Sequence, residues 1–345
     1  MAGRLYPTGK LPPDVLERML GKYGGKADRR VIVGPRTGED AAAVRVGGKA
    51  LVVATDPITF ASDEIGWYAA QVNANDVAVM GARPRWFQSC LLLPPTTTAN
   101  IERIFRQIHE ACAALGVAVI GGHTEITHDL AQPVVVGTMI GEVAPAGLVR
   151  SSGARPGDDV VLTKGVAIEG AAIIAKERAC SEGVRTPDAA SGVLTPLPKR
   201  LLNRAKRFLH DPGISVVRDA RIAARIGCHA MHDPTEGGLM MGAWELAEAS
   251  GCGIEIDLAA VPVLPESAAL CEAVGLDVYR TIASGALLAA VPPATTKRLL
   301  RAYARAGIPA AVIGRITRDE RLIRTPEGGQ LLKPVARDEI ARLFD

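Results

Sequence analysis

The stretch VGPRTGEDAAAVRVGGKALVVATDPITFASDEIGWYAAQVNANDVAVMG, residues 33–81, sets three carboxylates among alternating apolar segments: Asp40, Asp56 and Asp76. Asp40 follows Gly34, Pro35 and Gly38 and precedes Ala41-Ala42-Ala43-Val44, so it lies at the mouth of a strand. Asp56 ends the apolar run Leu51 to Thr55 and is followed by Pro57, which cannot continue a central strand. Asp76 sits in a helical pattern from Glu64 to Met80, in which Ile65, Ala69 and Val72 recur every three to four residues until Gly81 closes it. Asn73 stands three residues before Asp76 and shares its helix face. Turn and capping chemistry accounts for any one of these acids alone. Their combination points to a hard cation, since Mg²⁺ prefers a few carboxylate oxygens together with water and phosphates.

A length of 345 residues favours two domains, and 48% apolar residues suffice to fill both cores. The formal net charge of +3 is mild and both signs are mixed along the chain, so no nucleic-acid partner is expected. No run of about eighteen apolar residues and no leader pattern is present, so the expectation is a cytoplasmic protein without a membrane partner. The six cysteines form no CxxC pair or disulfide framework and read as reduced thiols, and the six histidines form no zinc pattern.

Near the start, Lys10 beside Gly9 either closes over phosphates or is a solvated lysine on a terminus. A short amphipathic helix carrying Val15, Leu16, Met19 and Leu20 follows. Beyond residue 81 the pattern predicts a strand from Trp86 to Leu93, a helix from Asn100 to Leu115, and a buried strand from Val117 to Ile120. That strand delivers Gly121-Gly122-His123-Thr124-Glu125, where paired glycines let the backbone approach a ligand and His123 and Glu125 point the same way in extended chain. A tight turn with exposed polar tips fits the same residues. A strand from Pro133 to Val143 precedes a glycine- and proline-rich stretch at 145–158, which divides the chain into domains at 1–148 and 149–345.

The second half predicts a strand from Val160 to Thr163, a helix bearing Ala171, Ile174 and Ala175, a surface loop or lid at 179–198, and a basic helix from Lys199 to His210. In His232-Asp233-Pro234-Thr235-Glu236-Gly237-Gly238, Asp233 fits an N-cap, Pro234 the first helical position and Glu236 the reciprocal capping acid. Gly237 and Gly238 would leave the first amides open to an anion. The chain closes with a strand from Ile282 to Val291, a helix from Ala294 to Ala306 and a strand from Ala310 to Ile316. Val312 to Ile316 echoes Met139 to Val143, a weak hint of related halves.

Taken in order, GEDAAAV (38–44), Thr55-Asp56-Pro57, NDVAVMGARP (75–84), GGHTEIT (121–127), RPGDDVVLTKG (155–165), HDPTEGGL (232–239) and ASGALLAAV (283–291) resemble the superfamily of aminoimidazole ribonucleotide synthetase (PurM), thiamine-monophosphate kinase, selenophosphate synthetase and HypE. The phrasing is most similar to HypE-like, AIR synthase-related proteins. The resemblance implies an α/β N-terminal domain forming half of a dimeric β-barrel, and an α+β C-terminal domain that completes the active-site cleft. It implies ATP and Mg²⁺ as cofactors, with Asp40, Asp56 and Asp76 as metal ligands. Gly121, Gly122 and Thr124 would face the phosphates, with Lys10, Asn73, Asp233, Gly237 and Gly238 as further cofactor-binding candidates and His123 and Glu125 as the catalytic pair. His123 replaces the acid that opens this loop in the purine and thiamine enzymes, as in selenophosphate synthetases. The implied chemistry is phosphorylation or activation of an oxygen-type acceptor, small-molecule or protein-bound, by a homodimer with a maturation-complex partner. A nucleotide-binding scaffold and a small-molecule kinase are the alternatives. HypE ends in a cysteine that carries a carbamoyl group, whereas no cysteine follows Cys271 here, so carriage on a tail thiol is not expected.

Overall fold

A computed structural model describes residues 6, 9–59, 63–177, 185–187 and 194–344. Contacts divide the chain into two compact units, one made of Ala27–Pro35 with Glu39–Arg150 and the other of Ser151–Asp345 with the described residues up to Lys26 and Arg36–Gly38. The early segment joins the second unit through Lys10, whose Nζ lies 3.1 Å from Glu236 and 3.8 Å from Glu245. Gly38 belongs with it because its backbone lies against the Glu245 carbonyl, 2.7 Å from where a Cβ would stand.

The N-terminal unit is a sheet of six described strands flanked by two helices. In chain order these are β1 (Val31–Val33), β2 (Ala42–Val46), β3 (Lys49–Ile58), α2 (Ile65–Val79), β4 (Arg83–Leu93), α3 (Thr98–Leu115), β5 (Ala118–Ile126) and β6 (Val134–Val143); α1 (Pro13–Lys22) lies in the other unit. The spatial order is β1-β2-β3-β6-β4-β5, antiparallel except for the β4–β5 pair. α2 is buried along nearly its whole length, as an apolar helix without a polar face must be. α3 is amphipathic, capped by the Thr97 hydroxyl, which accepts from the Asn100 amide, and ended by Gly116 in the left-handed region.

Two expectations for this unit change. β3 runs straight through Asp56 and Pro57, where a stop was expected. Its pairing with β2 ends at Val53, so beyond that point, among the described residues, β3 pairs with β6 on one side only, and a proline without an N–H is tolerated as it is at a sheet edge. In place of the buried strand expected over Val117 to Ile120, β5 continues to Ile126 and all nine of its residues are exposed. β5 is the edge of the sheet, and the described residues pair with it only on the β4 side.

The C-terminal unit holds a second sheet, ordered β10-β12-β7-β13-β11-β14-β15 among the described residues. Its strands are β7 (Asp159–Thr163), β10 (Ala230–His232), β11 (Gly253–Asp257), β12 (Leu288–Val291), β13 (Ala310–Thr317), β14 (Arg321–Thr325) and β15 (Gly328–Leu331), with β8 (Arg185–Pro187) and β9 (Leu194–Pro196) forming a separate antiparallel pair. The helices are α4 (Ile168–Glu177), α5 (Lys199–Ala205), α6 (Val217–Ile226), α7 (Gly238–Ser250), α8 (Pro265–Ala273) and α9 (Pro293–Arg305). One core packs Leu239, Met240, Ala243 and Leu246 of α7 with Leu162, Ile254, Leu288 and Ile313 of the strands.

The predicted helix from Lys199 to His210 stops at Ala205, where the chain turns to bury Phe208 and Leu209. The strand expected from Ile282 is confined to Leu288–Val291. Apart from β8 and β9, most of the expected 179–198 lid lies outside the described residues. No described helix is long and apolar enough to cross a membrane.

Candidate active site

In the N-terminal unit, the approach to β2 and helix α2 bring together two of the three acids that the sequence spaces apart, Asp40 and Asp76. Carboxylate oxygens of Asp40, just before β2, and of Asp76, near the end of α2, lie within 4.8 Å of each other, and Asp76 is buried. Asp56 is half-buried on β3. Asn73, named from its helix face as a cofactor contact, is fully buried and occupied with backbone. Its Oδ1 accepts from the Asp56 amide at 2.9 Å, and its Nδ2 donates to the Asp56 carbonyl at 3.3 Å and to the Ala69 carbonyl at 2.9 Å. It therefore pins to α2 the stretch of β3 that carries Asp56.

Gly121 and Gly122 lie within β5 with φ of 152° and 148°. The register against β4 slips at this point, so that Phe87 faces Val119 but Gln88 faces Gly121, leaving Ile120 as a bulge. A Cβ on Gly122 would stand 2.0 Å from the Ser89 carbonyl oxygen, so glycine is what lets the two strands pair. Beyond the bulge, His123 Nε2 lies 3.2 Å from Glu125 Oε2, and both side chains are exposed.

In the C-terminal unit, β10 ends at His232, whose Nε2 lies 3.1 Å from Glu245 Oε2. Burial alone would raise the Glu245 carboxyl, but the charges of Lys10 and His232 outweigh it and hold the group below the usual range. Asp233 is buried, and it does not cap α7. That helix starts at Gly238, after Gly237 with φ of 80°, later than capping by Asp233 requires.

The reason lies in the last segment of the chain. The Asp338 carboxylate accepts from the Gly237, Ile282 and Ile340 amides, filling the anion position that the two glycines were expected to leave open. Gly238 is glycine because a Cβ would meet the Tyr279 and Thr281 carbonyls at 2.8 and 2.5 Å. Nothing in the sequence pattern links Asp338 to Gly237, a hundred residues earlier. Glu245 was missed for the same reason.

Two more buried groups lie in the C-terminal unit. Lys164 has a left-handed φ of 59°, and its Nζ donates to the Ser215 carbonyl at 2.6 Å and lies 3.7 Å from Asp219. Burial pushes its ammonium down, opposed by Asp219. Cys271 is buried on α8, its thiol pushed up to about 12 chiefly by burial, so it is not a nucleophile at neutral pH.

A two-domain protein with an acid-bearing helix behind a mainly antiparallel sheet, followed by a second mixed sheet, is the class that these features define. The model of the AIR synthase related protein N-terminal domain matches residues 38–143, and that of the C-terminal domain matches residues 155–325. The chain belongs to the AIR synthase related protein family. It is 32% identical over 310 residues to the carbamoyl dehydratase HypE of Cupriavidus necator, covering 85% of this chain and 82% of that protein. Its fold is similar to HypE in a HypE–HypF complex, at 18% identity and a TM-score of 0.71, with 93% of this chain and 99% of that one covered. It is likewise similar to the hydrogenase maturation protein HypE in complex with ATP, at 22% identity and a TM-score of 0.65 over 93% of this chain and 91% of that one.

Proposed function

We propose that this protein is a Mg²⁺-ATP-dependent enzyme that phosphorylates or activates an oxygen-type acceptor, small-molecule or protein-bound, as a relative of HypE-like maturation factors. The observation that carries this reading is the approach of Asp40 and Asp76 to within 4.8 Å inside one unit. Hard carboxylate oxygens this close together can be shared by one cation, and they suit Mg²⁺. Asp56, on the strand that Asn73 pins, is the third proposed ligand. When bound, Mg²⁺-ATP supplies the transferable phosphoryl group and neutralises its developing charge.

The chain's own residues orient and move protons. Gly121 offers backbone at a bulged strand with nothing within 4 Å of where its Cβ would stand, and Gly122 and Thr124 on the same strand are further proposed phosphate contacts. Glu125 holds the His123 ring through Nε2, leaving Nδ1 to take or give a proton at the acceptor oxygen. Lys10 is a proposed phosphate contact whose charge Glu236 and Glu245 direct, and buried Asp233 is a further candidate ligand. Asn73 and Gly237 act through the backbone groups they hold, and Gly238 through its close packing.

A homodimer joined through the exposed β5 edge and a protein partner of the maturation type belong to the same reading; the HypE–HypF structure supports the latter. A cytoplasmic location fits the free thiols of the described cysteines. The test is titration calorimetry with a non-hydrolysable ATP analogue, with and without Mg²⁺. Asp76→Asn and Asp56→Asn should each weaken Mg²⁺-dependent binding by about 1–3 kcal/mol, as loss of a charged ligand does. Unchanged affinity in both variants would remove these acids from the site.

A further inference from the structure

Helices α6 and α9 lie side by side on the C-terminal unit, tied by the Tyr303 hydroxyl, which donates to the Asp219 carbonyl at 3.2 Å, and by the Arg298 guanidinium, which donates to the Ile226 carbonyl at 2.7 Å. Arg218, Arg221 and Arg225 of α6 and Lys297, Arg301 and Arg305 of α9 are all exposed. None of these six joins an ion pair among the described residues. The one acid in α6, Asp219, is buried beside Lys164, and α9 has none. The two helices hold seven of the chain's 40 basic residues and one of its 37 acids, so the mild average charge conceals a face of one sign.

The α6 row spans about 10 Å and the α9 row about 12 Å at ~1.5 Å per residue. Packed helices lie about 8–10 Å apart, so the two rows lie close together. A nucleic-acid duplex carries one phosphate charge per ~1.7 Å of axis, or about seven over the same length. Neither helix exposes a large apolar side chain. That composition lacks the aromatic and aliphatic anchors that give protein interfaces their affinity, and the stacking platforms that hold single strands.

We propose that the α6–α9 face binds the phosphate backbone of duplex nucleic acid without reading its bases. This departs from the expectation drawn from net charge, because folding gathers cations that the sequence spreads over two segments some seventy residues apart. The binding is electrostatic and sequence-independent, and it weakens as salt displaces the contacts.

The experiment is fluorescence anisotropy of the full chain with labelled random-sequence DNA and RNA duplexes between about 50 and 200 mM salt. Binding of either duplex is expected, with affinity falling steeply as salt rises; the two arms decide which backbone is preferred. The triple variant Arg221→Gln, Lys297→Gln, Arg301→Gln alters only exposed side chains, and its melting curve should match that of the parent. It should flatten the log–log salt dependence by roughly 3, at ~0.9 per lost phosphate contact. Absence of binding at the low-salt end, or a variant with unchanged affinity and slope, overturns the proposal. So does poly-glutamate competing as well as unlabelled duplex, which would assign the face to an acidic protein.

Discussion

Glu169, in the first turn of α4, is buried, and its Oε2 finds no hydrogen-bond partner among the described residues. Burial pushes its carboxyl from 4.5 up to about 8, with the Ser284 hydroxyl opposing and the charges of Glu236 and Asp338 adding to the rise. Asp338 moves the same way, from 3.8 to about 6, because burial outweighs the three amides that favour its charged form. An acid whose folded value is raised binds its proton more tightly in the native state. Its contribution is fully present below the unfolded value and is lost as pH rises through the folded one. Unfolding free energy should therefore fall between about pH 4 and pH 8. Glu169→Gln should flatten that fall and stabilise the protein at pH 8, on the order of a few kcal/mol. Urea titrations of both proteins at the two ends of this range check it, and a slope unchanged in the variant would show that Glu169 is not the titrating group. Asn73→Ala, by contrast, should cost about 1–3 kcal/mol at any pH, since it strands the Asp56 backbone groups. If Asp56 is a metal ligand, the same change also weakens Mg²⁺-dependent nucleotide binding, whereas a purely structural Asn73 lowers the melting temperature alone.

Among the elements, α2 and β6 come close because β6 is flat where the helix crosses it. A Cβ on Gly137 would stand 2.4 Å from Asn73 Nδ2 and 2.9 Å from the Ala69 carbonyl, and one on Gly141 would stand 2.3 Å from Val77. Gly137→Ala should therefore destabilise by about 1–3 kcal/mol, the range for overpacking, and calorimetric melting would show it. Strongly periodic elements were legible from sequence. α2 and α3 appear within two residues of the expected bounds because apolar spacing, Thr97 and Gly116 mark them locally. The path of β3 through Pro57 was not legible, because whether a proline is tolerated depends on where the neighbouring β2 ends. The late start of α7 was hidden for a related reason. Asp233-Pro234 carries every local sign of a helix start, and a distant carboxylate at Asp338 decides otherwise.

For the molecule as a whole, the exposed edge of the N-terminal sheet is the feature with the largest consequence. β5 leaves one side unpaired among the described residues, and Val119, Ile120 and Ile126 are each about half exposed, at 51%, 53% and 53%. An open apolar edge of this kind invites a further strand. Light scattering at micromolar concentration should give twice the chain mass of 36.2 kDa, and Ile120→Lys should shift it toward the monomer. A stable monomer of the parent protein would remove the dimer from the proposed function. The sequence by itself determined the class of the protein, because segment order, apolar periods and the spacing of Asp40, Asp56 and Asp76 are local properties written in the chain. Tertiary structure alone decided which acids meet, that Asn73 holds backbone, and that Asp338 fills the anion position at Gly237. It also gathered the cations of α6 and α9 on one face. Each of these joins residues far apart in the chain, and such contacts follow from how strands and helices are placed in space, which no local pattern encodes.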